Sequence, residues 1–528
     1  MLQRGLLYFN TIRHLQAQQI TNRLRRRLWR PRVALKPAPS VHAPIRLSGP
    51  LNRDSMIGPG TFTFLAQTHS VNAPLDWNAD GRDPLWTFNL HYFDDLNSAG
   101  TEARLEQHRH WIDRWIADNP AGEGYGWEAY TISLRLVNWI KWDWRTGALT
   151  AGARDSLAHQ VRHLHASLEY HLGGNHLWAN AKALIFCGLY FKGEEASEWL
   201  ATGRALLRRE ITRQVLADGG HYERSPMYHA ILTQDLLELT EAARARGWIS
   251  LHADREFFAE KAASMLRWLR CMCHGDGEIA FFNDAAIGIA SPPEKILAYA
   301  HHLQIHAAAP ADGLTFLRDS GYVRYARDGV LLLCDAGPIG PDELPGHAHA
   351  DSLSFELSID QKRLLVNSGT STYWDQELRD LQRGTASHNT VCINGENSSE
   401  VWSRFRVARR ARTTVHECRE TDAGLILIAS HDGYRRLRGR PVHRRTWTLN
   451  SNQLNVVDQI FGIYKNAEAR FHAYPSAAKP SISAAGIEWH ASEFFPGFGE
   501  RVANQVACVP VIGGTARAVV MLRTPESF

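Results

Sequence analysis

Two hydrophobic periods divide the chain and predict an α+β fold of more than one domain. From about residue 100 to about residue 305, apolar residues recur at helical spacing. After "HAAAPADG" they recur at every second residue, the period of a half-buried strand. The 528 residues also exceed what one hydrophobic core usually organises. These observations divide the chain into basic helices and loops over 1–100, a helical domain over 101–311, and an antiparallel β domain over 312–528.

The N-terminal segment begins with basic helical stretches, "NRLRRRLWRPR" among them, and turns Pro- and Gly-rich before "PLWTFNLHYFDDL". "ARLEQHRHWIDRWIAD" then places Leu105, Trp111, Ile112, Trp115 and Ile116 on one stripe, and "TISLRLVNWIKWDW" does so with Ile132, Leu136, Trp139 and Ile140. Further helices are expected to start near Asp155, His176, Glu195, Tyr228, Arg255 and Pro293, parted by turns such as "HLGGNH" and "LADGGHYERSP". Amphipathic helices on short turns stack as antiparallel hairpins, closed into a toroid or strung as a solenoid. Beyond residue 312, "GYVRYARDGVLLLCDAG", "DSLSFELSID", "KRLLVNSG", "NTVCING", "LILIASHDGY" and "RRTWTLNSNQLNVVDQIFG" read as strands between Gly, Asn and Asp turns, forming a sheet or sandwich.

With 44% hydrophobic and 22% charged residues, the composition is that of a globular protein, and a net charge of +4 argues against a nucleic-acid binder. Basic runs do cluster, at the N-terminus, in "RFRVARRAR" and in "YRRLRGRPVHRR"; they read as solvated faces or as a face for an acidic polymer. The 17 Trp suit either core packing or stacking on sugar rings. Seven Cys without framework spacing read as free thiols of a reducing compartment. No secretory leader and no membrane span is read in the sequence, so the expected location is the cytoplasm, with the periplasm as the alternative.

Four places combine reactive side chains with turn formers. Asn175-His176 follows Gly173-Gly174 at an expected helix start, where Asn175 also suits a plain N-cap. "GGHYERSPMYH" holds Tyr222, Glu223, Arg224 and Tyr228 around Ser225-Pro226, itself a cap and first-turn proline. "FFNDAAIG" holds Asn283 and Asp284. In "GHAHADSLSFELSIDQKRLLVNSGTSTY", His347 and His349 would share one face of an extended segment beside Asp351, with His388 downstream, a pattern that suits a metal or an acid–base pair.

That last stretch, with "RGTASHNTVCING", "NHLWANAKALIFCGLYF" and "DGGHYERSPMYHAILTQDLLEL", resembles the heparinase II/III-like polysaccharide lyases, a group that includes certain alginate lyases. The resemblance runs from about residue 85 to the end. It implies an (α/α) toroid followed by an antiparallel β-sandwich, and β-elimination on a uronic-acid polysaccharide, an acidic polymer. Asn175 and His176 match the positions that neutralise the uronate carboxylate, Tyr228 the proton-transferring tyrosine, and His347 a histidine beside the reacting sugar. Tyr222, Arg224, Asn283 and Tyr373 are expected to bind substrate, with Tyr222 and Tyr373 as reserve proton carriers and Arg224 as a cation that lowers a tyrosine pKa. The family commonly holds a structural zinc at positions matching His349, Asn367 and His388. Asn367 replaces the expected Asp, and a neutral amide is a poorer zinc ligand, so the expected metal is a partly occupied structural divalent ion.

Two rival functions are a glycoside hydrolase using Glu223 and Asp284 as its carboxylate pair, and a non-catalytic accessory protein of capsule or exopolysaccharide synthesis.

Overall fold

The computed structural model of the chain describes residues 2–29, 31–475 and 479–522. Helices α1 (Leu2–Ile12) and α2 (Ala17–Leu28) come first, then a small sheet of strands Met56–Gly58, Thr61–Phe64 and Gln67–Ser70, and α3 (Pro84–Tyr92). The helical domain continues through α4 (Leu105–Asp118), α5 (Ala129–Thr146), α6 (Ala151–Ala166), α7 (Gly174–Tyr190), α8 (Glu194–Gln214), α9 (Pro226–Arg246), α10 (His252–Cys271) and α11 (Pro293–His302).

α7 is the central helix and packs against α5, α6, α8 and α9. Every one of its residues except His176 is buried, which explains why "WANAKALIFCGLYF" is apolar all round rather than on one stripe. α8 approaches it closely because Gly188 and Gly203 lie at the contact. A Cβ on Gly188 would meet Leu200 Cβ at 2.5 Å, and one on Gly203 would meet the Ala181 carbonyl oxygen at 2.8 Å. Twelve of the 17 Trp are buried, so most of the Trp excess is core.

The fold is a helical toroid followed by an antiparallel β-sandwich. The first sheet is a five-stranded meander: Gly313–Leu317, Tyr322–Arg327, Val330–Asp335, Phe355–Ile359, Lys362–Leu365. Its inner face, with Val323, Leu332, Cys334 and Leu357, shares a core with two further sheets. One has six strands in the order Thr413–Thr421, Gly424–His431, Val442–Leu449, Gln453–Phe461, Thr515–Met521, Ile482–Ala484; the other has four, Glu488–Phe494, Val502–Pro510, Ala467–His472, Val391–Ile393. The meander's other face, with Tyr322, Leu331 and Leu333, packs on Trp268, Met272 and Phe282 of the helical half. Covered on both faces, Val330–Asp335 is buried at every position and reads "VLLLCD" without alternation.

The long connection from Asp335 to Phe355 carries His347 and His349 to the helical domain. It is loop, not the start of a strand, so the two histidines are not held on one strand face. Three bonds fix it instead. The Asp284 N–H donates to the His347 carbonyl at 2.9 Å, the His349 N–H to Asn283 Oδ1 at 2.9 Å, and Arg383 Nε to the Ala348 carbonyl at 3.0 Å.

Candidate active site

The first turn of α9 presents Tyr228. Ser225 caps the helix, accepting the Tyr228 N–H at 3.2 Å, and Pro226 fills the position whose N–H has no partner. The Tyr228 ring stacks on His347, with centroids 3.9 Å apart and planes 15° from parallel. Its phenol oxygen lies 2.9 Å from that of Tyr373. Burial holds both phenols well above the usual tyrosine pKa, each disfavoured further by the Asp284 charge, so both stay protonated.

Behind His347 lies Glu223, hydrogen-bonded to Nδ1. This leaves Nε2 without an intramolecular partner among the described residues. Burial alone would raise the Glu223 pKa; attraction to a protonated His347 ring and the His347 hydrogen bond bring it below the ordinary value, so it remains a carboxylate. The start of α7 faces the same carboxylate. A Cβ on Gly174, at φ +54°, would lie 2.7 Å from Glu223 Oε1 and 2.3 Å from Leu344, so only glycine fits there. Tyr222 lines this wall, its phenol oxygen 3.6 Å from the same added Cβ.

Asn175 and His176 occupy the first turn of α7, at the positive end of its dipole. The cap is Gly173, so Asn175 is not the N-cap, and its side chain reaches the Tyr130 phenol. His176 Nδ1 lies 3.2 Å from Glu169 Oε1 and its ring 4.5 Å from that of Tyr130, with the side chain 35% exposed. Burial disfavours its charge, but the Glu169 charge and hydrogen bond outweigh this and raise its pKa.

On the other side of Tyr373 lies α12 (Gln376–Arg383). Its Arg379 guanidinium sits 4.8 Å from the Tyr373 ring centre and binds both Asp284 oxygens. Against the cost of burial, Arg379 and then His349 hold Asp284 well below the usual carboxylate range. His349 spends both ring nitrogens, Nε2 on Asp284 at 2.8 Å and Nδ1 on His388 Nε2 at 3.1 Å; His388 Nδ1 meets the Gly384 carbonyl at 2.8 Å.

This arrangement bears on four expectations. His349 and His388 meet ring to ring, and Asn367 bonds the residue that follows His388. The Asn367 oxygen accepts the Asn389 N–H at 3.0 Å, and the two histidines are satisfied by each other, Asp284 and backbone. Among the described residues no group of three His, Cys, Asp or Glu is placed to hold a metal; His349 and His388 would supply two imidazoles, and the neutral Asn367 amide would be the weak third ligand of a partly occupied structural site. Elemental analysis of the purified protein is expected to show less than stoichiometric zinc, and Asn367→Asp, which restores a carboxylate ligand, is expected to raise it.

Arg224, at φ +57°, turns away from the tyrosines and binds the carbonyls of Tyr222, Ser320 and Asp319. The tyrosine its charge acts on is Tyr322, outside the Tyr228–His347 stack. Asn283 spends its amide on the Arg224 carbonyl and the His349 N–H, stapling the two halves rather than facing the cleft. Of the Glu223–Asp284 pair that a hydrolase would use, Asp284 has both oxygens tied to Arg379 and one also to His349, while Glu223 gives Oε2 to His347 and keeps Oε1 without a side-chain partner. Three residues of the site escaped the sequence reading: Glu169, Tyr130 and Arg379.

Residues 97–299 match the family model described as Heparinase II/III N-terminus, and residues 309–509 the one described as Heparinase II/III-like, C-terminal. Over 324 residues the chain is 24% identical to the heparin-sulfate lyase of Bacteroides stercoris, covering 56% of this chain and 45% of that protein. The chain thus spans about half the length of the curated lyases it matches. It is 25% identical over 421 residues to the FtsZ-localized protein C of Caulobacter vibrioides, covering 74% of this chain and 69% of that one. The solved structure of heparinase III superposes with a TM-score of 0.67 at 16% identity, over 85% of this chain and 80% of that chain. A Streptomyces coelicolor chondroitin AC lyase, solved with chondroitin sulphate, gives 0.52 at 10% identity, over 98% and 80%. These two likenesses concern the fold.

Proposed function

Since the chain belongs to the heparinase II/III-like family, we propose that it is a polysaccharide lyase that cleaves a uronic-acid-containing, glycosaminoglycan-like chain by β-elimination. The observation that carries the reading is the stack of Tyr228 on His347, with Glu223 behind the histidine and the first turn of α7 beside it.

The chemistry needs three acts. His347 Nε2 takes the proton from C5 of the uronate, and Glu223 stabilises the imidazolium that forms. The electron pair left at C5 forms the C4–C5 double bond as the C4–O4 bond breaks. Tyr228, kept as a neutral phenol by burial, gives its proton to the departing O4, and Tyr373 can reprotonate it across their hydrogen bond. In between, negative charge builds on the uronate carboxylate. Asn175, the charged His176 and the start of α7 neutralise it. The product carries a 4,5-unsaturated uronate.

Asn175→Ala and His176→Ala are each expected to lower turnover on the free uronate by about two to three orders of magnitude. A substrate esterified at the carboxylate develops less charge and should depend on them less. Equal losses on acid and ester would reduce the two residues to a structural role at the helix start.

The pH profile offers an independent check. The raised pKa of His176 means its charge is fully present below the ordinary histidine value and is lost as pH rises through the raised one. The alkaline fall in rate is therefore assigned to His176. Glu169→Gln removes the main raising influence and is expected to move that limb to lower pH. An unmoved limb would take His176 out of the titrating step.

A second reading has one observation in its favour. The match to the FtsZ-localized protein C, whose name is not that of a lyase, covers a larger share of this chain than the match to the lyase, which favours an accessory role without polysaccharide cleavage. Assay on heparan, hyaluronan, chondroitin, alginate and polyglucuronate separates the two: a lyase turns one over, an accessory protein binds without turnover.

A further inference from the structure

The first 53 residues carry eleven Arg or Lys and no Asp or Glu, within a chain whose total is only +4. The rest of the chain is therefore net negative, so the basic charge is concentrated at one end. This segment contains α1 and α2, which lie across the junction of the two halves and are fixed by one side each. Gln19 Nε2 donates to the Leu172 carbonyl of the helical half at 3.4 Å and to the Glu343 carbonyl of the β half at 3.2 Å. Trp402 Nε1 donates to Thr11 Oγ1 at 3.2 Å, and Tyr8 packs edge-on against the Trp402 ring.

The other side of each helix is apolar and uncovered. On α1, Leu6, Phe9 and Ile12 are exposed; on α2, Ile20, Leu24 and Leu28 follow at i, i+4 and i+8 and are exposed, Leu28 by 86%. α2 carries four Arg and α1 one, with no acidic residue in either, and an apolar stripe on such a basic helix is the pattern of a helix lying in a membrane interface. No described helix is long and apolar enough to cross a membrane, so the attachment would be peripheral.

We propose that α1 and α2 dock the protein on an anionic lipid surface, with their arginines among acidic headgroups and the two apolar stripes inserted at the acyl boundary. Charge selects this occupant over the others. A second copy of the chain would bring two equally basic segments together. An acidic polysaccharide would satisfy the arginines but has no acyl region to cover six apolar side chains. Docking this way would hold the cleft between the two halves beside the membrane.

Flotation with lipid vesicles tests the proposal on the full chain. The protein is expected to float with vesicles of phosphatidylcholine mixed with phosphatidylglycerol, not with phosphatidylcholine alone, and less in raised salt. Phe9→Ser combined with Leu24→Ser and Leu28→Ser is expected to weaken vesicle binding by about tenfold or more at an unchanged melting temperature, because these side chains are already solvated in the folded protein. Absence of flotation with the acidic vesicles overturns the proposal. So does undiminished flotation of the triple variant, which would leave only attraction between polyions. A dimer seen by light scattering that the same substitutions dissolve also overturns it, by assigning the stripes to a second copy.

Discussion

Replacing Tyr228 with Phe is expected to lower turnover by about two to four orders of magnitude while leaving the melting temperature and substrate affinity close to those of the natural protein. The substitution removes one oxygen. The ring still stacks on His347, Ser225 still caps α9, and the phenol of Tyr373 keeps its contact with the Arg379 side chain. What disappears is the proton that the departing O4 needs. Steady-state kinetics and a binding isotherm on the same polymer check it. A Phe variant with near-natural rate would move the donor role to Tyr373, whose oxygen lies 2.9 Å away.

The largest expected effect on stability comes from Arg379→Met. Arg379 and Asp284 are both fully buried, and the guanidinium holds both carboxylate oxygens. Removing the cation leaves Asp284 charged in the interior with only His349 and Thr370 for partners, which costs about 3–5 kcal/mol for a pair of this kind. Asp284→Asn in the same chain removes the stranded charge and should restore a good part of the loss. Unfolding by denaturant measures both. A single variant that loses less than about 1 kcal/mol would mean that the pair behaves like one at the surface.

Where local chemistry decided the structure, the sequence was readable. The change of period marks the passage from α11, ending at His302, to the first strand of the meander at Gly313. Ser225-Pro226 both announces α9 and sets Tyr228 in its first turn. Where tertiary contacts decided it, the sequence misled. The His347–His349 segment alternates like a strand, but its backbone is held by Asp284, Asn283 and Arg383 from other elements, and it stays a loop.

Arg224 and Asn283 looked like cleft residues because they are polar and stand beside reactive ones. Their side chains instead bind backbone groups of other loops, at Ser320, Asp319 and His349, from two left-handed turns, and turn conformation is weakly encoded in non-glycine residues. Arg379 was missed because α12 buries a polar face of Arg379, Gln382 and Arg383. A search for apolar periodicity takes such a face for the solvated one. Glu169 lies before the turn that leads into α7 and meets His176 only because that turn brings the two together.

β-Elimination at the Tyr228–His347 stack is tested by ultraviolet absorbance of the new double bond while the protein acts on the acidic polysaccharide panel. Absorbance is expected to grow with each chain cut on at least one uronate polymer, and the growth to be lost in Tyr228→Phe. New reducing ends without absorbance would mean hydrolysis. Binding across the panel with no turnover would mean that the stack performs no chemistry.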